Sequence, residues 1–192
     1  AKGRSFGLTV GGVFIAIAAF LWWRGHLRVC AVLGTLGIKY TAHGVENIPK
    51  DGRNIFVSNH PLGGLDGMVF MSELGKHFAA AKFPVNDILL YLKNYEGIFL
   101  PVNKHGALGR EAARLLEEAY ISDCQILNFP AGICSRKIKG QITDLPWQKS
   151  FIVKSIQHKR DIVPCFFSGR NSNFFYNPVS YTHLTLPTTP YV

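Results

Sequence analysis

No Cys-x-x-Cys pair occurs in the sequence, and its four cysteines, at positions 30, 124, 134 and 165, have no metal-ligand spacing. That excludes a zinc ribbon and a disulfide scaffold, and it fits reduced thiols in an intracellular setting with no metal centre. Charge is sparse as well. Charged residues make up 17% of the chain against 47% hydrophobic, a balance that argues against disorder. Acidic residues are outnumbered 12 to 21 by Lys and Arg, leaving a net charge of +9. A basic surface suits anionic lipid, nucleic acid or an acidic carrier protein. Aromatics do not interleave with a basic stripe, so nucleic acid ranks last among these partners. There is no Gly-x-Ser-x-Gly elbow to supply a serine nucleophile, and no internal repeat. At 192 residues the chain is long enough for one domain with its own core.

Two stretches lack charge altogether. Residues 6–23 contain no charged side chain. As a helix rising about 1.5 Å per residue they span roughly 27 Å, close to the hydrocarbon thickness of a bilayer. Lys2 and Arg4 precede the run, and Trp22, Trp23, Arg24 and Arg28 close it. With a second apolar piece at 29–38, residues 1–38 read as an anchor embedded in or lying on a membrane; a buried core helix is the other reading. No small-x-small cleavage site follows, which argues against a signal peptide. Residues 179–192 are also uncharged, carry two prolines and show no core periodicity. They resemble the translation of a sequencing-library adapter, and the domain is expected to lie within 39–178.

The most informative stretch is residues 59–67, Asn-His-Pro-Leu-Gly-Gly-Leu-Asp-Gly. The apolar strand 54–58 leads into it and a helix over 66–78 follows. Pro61 holds His60 extended, and Gly63 and Gly64 permit a tight turn. His60 and Asp66 then meet as a general base and the carboxylate that orients it. A loop histidine beside a helix-capping aspartate is the plainer alternative.

Further strands are expected at 38–41, 79–83, 97–102, 125–129 and 162–167. Helical spacing recurs through Leu108, Ala112, Leu115, Leu116 and Ala119, and again from Leu145 with Asp144 as its cap. Strands alternating with helices predict an α/β domain with a mostly parallel central sheet flanked by helices. In such sheets ligands bind beyond the carboxyl ends of the strands. Two loops there carry chemistry. Phe129-Pro130-Ala131-Gly132 is followed by Ser135, Arg136, Lys137 and Lys139, a turn with cations that suits an anion. The strand 97–102 delivers Asn103 and Lys104 to the same rim. The alternatives are a basic surface loop and a solvated lysine.

This ordered set resembles the glycerophospholipid acyltransferase family: His60 with Asp66, Gly97-x-Phe99 with Lys104, Phe129-Pro130-x-Gly132 with Arg136, then Ile162-Val163-Pro164. The wording is closer to the hemolysin-like branch, which includes enzymes that O-acylate lyso-ornithine lipids. The resemblance covers about residues 35–178 and implies a glycerol-3-phosphate acyltransferase-like fold with an N-terminal membrane-associated helix. It implies O-acyl transfer to the hydroxyl of a lyso-lipid, either a 1-acylglycerol-3-phosphate or a hydroxyacyl aminolipid, at the cytoplasmic face of the inner membrane. His60 is then the general base and Asp66 its orienter. The acyl thioester is carried by acyl carrier protein or coenzyme A, and no cofactor is needed. Asn103, Lys104, Phe129, Pro130, Gly132, Ser135 and Arg136 are the candidate substrate-binding residues.

Three departures from the family pattern stand out. Five residues rather than four separate His60 from Asp66, Ala131 replaces the usual Glu, and Lys104 stands where Arg is common. They favour the aminolipid acceptor and weaken a bidentate phosphate grip at Lys104. A non-enzymatic module that binds anionic membrane is the alternative function, and such a module has no use for the His60–Asp66 pair.

Overall fold

The computed structural model describes residues 10–102, 106–172 and Tyr176. Five strands form one sheet: β1 (Asn54–Ser58), β2 (Ala81–Val85), β3 (Phe99–Pro101), β4 (Gln125–Asn128) and, closing the series, Asp161–Cys165. A two-stranded hairpin, β5 (Arg136–Ile138) and β6 (Gln141–Thr143), precedes that last strand, which is therefore β7. The sheet order is β3-β2-β4-β1-β7 and every pairing within it is parallel. The expected α/β architecture with a mostly parallel central sheet is thus present.

Helices cover both faces. β1 has all five residues buried, as a central parallel strand requires. Its alternation sends Phe56 to one side, where it meets Leu127, Phe83, α1 (Val10–Thr35) and α2 (Gly64–Leu74). Ile55 and Val57 point to the other side and pack with Ile126, Leu100 and residues of α3 (Gly106–Ile121) and α4 (Ser150–His158). α3 and α4 are amphipathic to match.

α1 joins both apolar N-terminal pieces into one helix. Trp22, Gly25, Val29 and Leu33 form its buried stripe, at helical spacing, and the Trp22 indole donates to the Phe78 carbonyl at 2.9 Å. Its other side exposes Phe20, Trp23, Leu27 and Val32. Among the described residues no helix is long and apolar enough to cross a membrane.

Several expected boundaries move. Residues 38–41 form no strand. β2 runs through Pro84 instead of ending before it. This costs nothing, because the β2–β4 ladder involves only Ala81 and Lys82 and Phe83 donates its N–H to β3's neighbour Ile98. The proline nitrogen therefore falls where no partner strand continues. α4 starts at Ser150, with Lys149 rather than Asp144 at its cap position.

Arg160 is the main polar fastener. It is buried, and its guanidinium donates to the carbonyls of Tyr120, Cys124, Ala119 and Ser122. These include carbonyls that the end of α3 cannot satisfy itself. Arg160→Ala takes this donor from all four, leaving the Ala119 carbonyl only the Ser122 hydroxyl and the Cys124 thiol, and is expected to cost about 3 kcal/mol. Denaturant unfolding measures this as a lower midpoint with an unchanged slope.

Candidate active site

β1 and β4 are adjacent and parallel, with Val57 opposite Asn128. The loops that follow them therefore emerge side by side at the carboxyl edge of the sheet. This is how residues far apart in sequence, His60 and Phe129, come together.

Pro61 and Gly63 shape the first loop. Gly63 lies at φ 70°, ψ −130°, a region closed to side chains with a Cβ. The turn it makes starts α2 at once, and Asp66 falls in the helix's first turn. There the carboxylate benefits from the positive end of the helix dipole. Asp66 is fully buried. Its Oδ2 accepts the Leu62 backbone N–H at 2.7 Å and faces His60 Nδ1 at 3.0 Å. Nδ1 thus carries the proton and Nε2 has its lone pair free. The second oxygen, Oδ1, is buried with no hydrogen-bond partner among the described residues.

The imidazole also has a platform. The Phe129 ring stacks on it with centroids 4.0 Å apart and planes 15° apart. Phe70, Phe83 and Phe167 pack around Phe129 in turn. One face of the ring is thereby shielded from water, while 16% of the His60 side chain remains exposed.

The loop after β4 turns at Gly132, at φ 75°, whose N–H returns to the Phe129 carbonyl at 2.9 Å. Pro130 is buried, and its carbonyl accepts the Gln148 N–H. Ala131, standing where the resembled family carries a carboxylate, is buried as well. Ser135 is buried and donates to Asp144 Oδ1, while its N–H binds the His60 carbonyl at 2.8 Å. Arg136 is half-buried, and its Nε has no hydrogen-bond partner among the described residues. Lys137 and Lys139 are exposed beside it. Asn103 and Lys104 lie outside the described residues.

Burial pushes the Cys134 thiol up, against the opposing pull of Arg136. A protonated thiol is a poor nucleophile. Among the described residues no cluster of three His, Cys, Asp or Glu could hold a metal ion.

Sequence reasoning missed four contributors. Asn59 latches the first loop to the segment after β7: its side chain accepts the Phe167 N–H at 2.7 Å and donates to the Phe167 carbonyl at 2.9 Å. Asn171 and Tyr176 both donate to the Pro61 carbonyl. Asp144 is the fourth. None has a local signal, because each acts across about 80 residues or more of chain. The β5–β6 hairpin was also missed, although Lys139-Gly140 between Ile138 and Gln141 is a two-residue turn: both turn residues have positive φ, 48° and 85°.

A separate cleft of about 650 Å³ opens between the end of α1 and α2, lined by Cys30, Leu33, Ile38, Tyr40, Glu73 and Lys76 among others. None of the candidate site residues lines it. Four of its polar side chains are paired with one another, Tyr40 with Ser72 and Glu73, and Lys76 with Glu73.

A ring nitrogen with a free lone pair, and a proton held on the other nitrogen by a carboxylate, is an arrangement that can take a proton from a hydroxyl. The chain belongs to the acyltransferase family, whose sequence model matches residues 15–186. It is 47% identical over 148 residues to the lyso-glycine lipid O-acyltransferase of Bacteroides thetaiotaomicron, an alignment covering 77% of this chain and 54% of that protein. It is 45% identical over 148 residues to the lyso-glycine lipid O-acyltransferase of Phocaeicola vulgatus, covering 77% and 53% respectively. The chain thus spans about half the length of the curated relatives it matches.

Proposed function

We propose that this chain carries the catalytic centre of a lyso-lipid O-acyltransferase that works by general-base catalysis. The observation that supports this most strongly is the His60 Nδ1–Asp66 Oδ2 contact of 3.0 Å, in a chain of this family. His60 Nε2 takes the proton of the acceptor hydroxyl as its oxygen attacks the carbonyl carbon of an acyl thioester. The C–O bond forms, the tetrahedral intermediate collapses, and the C–S bond breaks. The imidazolium returns the proton to the departing thiolate, so no proton is gained or lost. Asp66 holds the ring and sets a negative charge against the imidazolium.

The acceptor in this reading is an aminolipid with a free hydroxyl, and a lyso-glycine lipid is the first one to test. The two relatives carry that name. An amino-acid headgroup linked through its amine presents a carboxylate, which Arg136 can pair with. Ala131 in place of an acid fits an acceptor other than 1-acylglycerol-3-phosphate. The lyso-ornithine lipid of the hemolysin-like branch remains a second acceptor of the same class. The donor is an acyl group on acyl carrier protein or coenzyme A. Lys137 and Lys139 offer positive charge to either one. The exposed apolar side of α1, with Arg24 and Arg28 among its aromatics, suits the cytoplasmic surface of a membrane where the lyso-lipid resides.

The test is an acyl-transfer assay on the full-length protein. Lyso-glycine lipid, lyso-ornithine lipid and 1-acylglycerol-3-phosphate are each supplied with an acyl-carrier-protein thioester and with a coenzyme A thioester, and products are identified by mass. An acylated aminolipid is the expected product. Faster acylation of 1-acylglycerol-3-phosphate overturns the acceptor assignment, and no acylation of any acceptor overturns the enzymatic reading.

A further inference from the structure

We infer that Asp144 and Ser135 form a clamp that positions the His60 backbone, and that the β5–β6 hairpin exists at this place to bring them together. This rests on the reading of His60 as the base.

The ring of His60 is fixed by Asp66 and Phe129, but a ring is only as well placed as the peptide that carries it. Pro61 has no N–H to contribute. The two backbone groups of His60 itself are both taken by residues from beyond β4. Its carbonyl accepts the Ser135 N–H at 2.8 Å. Its N–H points to Asp144 Oδ2 at 3.3 Å, a contact across 84 positions of sequence. The other oxygen of Asp144 accepts the Ser135 hydroxyl. The three residues close a ring of hydrogen bonds.

The hairpin register explains why these two residues meet. Arg136 is paired with Thr143, Lys137 with Ile142 and Ile138 with Gln141. Ser135 and Asp144 are the next positions outward on the same antiparallel ladder. The side-chain bond between them extends the hairpin to the base of the first loop. A carboxylate suits the position because it has two acceptor oxygens for two donors. An amide can hold the same geometry, with its oxygen taking the His60 N–H and its NH2 donating to Ser135 Oγ. A methyl group can hold neither.

Asp144 does not touch the reacting atoms in this arrangement. It is a positioning residue, and its loss should lower the rate of the chemical step more than it weakens substrate binding. The experiment uses the full-length protein in three variants, Asp144→Ala, Asp144→Asn and Ser135→Ala. Two readouts are taken: kcat and KM for donor and acceptor, and the proton resonance of His60 Nδ1–H, assigned by its absence in His60→Gln. For Asp144→Ala the expected result is a fall in kcat of about 30-fold with KM changed less than about threefold. The Nδ1–H resonance broadens as the ring loses its fixed approach to Asp66. Asp144→Asn restores most of the rate and the sharp resonance. Ser135→Ala keeps the backbone bond to His60, so it loses less than Asp144→Ala.

Unchanged kcat with a sharp resonance in Asp144→Ala overturns the clamp. Equal impairment of Asp144→Asn and Asp144→Ala overturns it too. If Asp144→Ala fails to fold, a Ser135→Ala protein with full rate and a sharp resonance overturns it in the same way. If the unsubstituted protein transfers no acyl group while the resonance still responds to Asp144→Ala and recovers in Asp144→Asn, the clamp stands and the acyltransferase reading falls.

Discussion

Replacing His60 with alanine is expected to lower acyl transfer by about 10²–10⁴-fold while leaving the fold intact. The size follows from the chemistry. An alcohol at neutral pH is a weak nucleophile, and without a positioned base its proton has to leave to water. The fold survives because His60 is a loop residue with a partly exposed side chain. The cavity opened against Phe129 is accessible to solvent, and the backbone bonds of His60 to Ser135 and Asp144 do not involve the ring. kcat should carry the loss, with KM for the lyso-lipid little changed. The check is steady-state kinetics beside a thermal melt. A folded His60→Ala protein that turns over at the parent rate removes His60 from the mechanism and, with it, the proposed role of Asp66.

The parts of this site that could be read in the sequence are those made by local geometry. Pro61, Gly63 and the six-residue step from His60 to Asp66 lie within one strand–turn–helix unit. Their meeting follows from backbone preferences alone. β1 and β4 were legible for a similar reason, since a short run such as Ile55-Phe56-Val57 has few homes other than a central parallel strand. α3 was legible because its charges and aliphatics alternate at helical spacing.

What the sequence hid was made by distance. Asp144 has the look of a helix cap, sitting just before Leu145 and Trp147, yet the helix begins later, at Ser150, and the carboxylate serves a loop on another strand. Ser135 looked like part of a basic, ligand-facing loop, and it is buried beneath that loop. The hairpin between them was obscured because its strands are short and mostly exposed, so no apolar alternation marks them. α1 was readable as a helix, but which side faced the protein was not. Its apolar residues go all round, and only packing against α2 picks out Trp22, Val29 and Leu33.

Asp66 is where local and distant constraints converge, and its substitutions should separate orientation from charge. Asp66→Ala removes the acceptor of the Leu62 N–H and of the His60 Nδ1–H together. It should destabilise the start of α2 by about 1–2 kcal/mol. The imidazole is then free to turn and to place its proton on either nitrogen, and activity is expected to fall about as far as in His60→Ala, on the order of 10²–10⁴-fold. Asp66→Asn is the sharper probe. Both hydrogen bonds converge on Oδ2, while Oδ1 has no partner among the described residues. The amide oxygen can therefore take the place of Oδ2 and keep both donors, which leaves the amide NH2 buried and unpaired. The reverse orientation sets the NH2 against the Leu62 N–H and is worse. Asparagine thus preserves the ring's tautomer and loses the negative charge that faces the imidazolium. Its rate should lie between the parent and Asp66→Ala, about 10–100-fold below the parent. Kinetics on the full-length protein decides it. An asparagine variant as slow as alanine means that charge alone carries the role of Asp66. One as fast as the parent means that the carboxylate serves only to aim the ring.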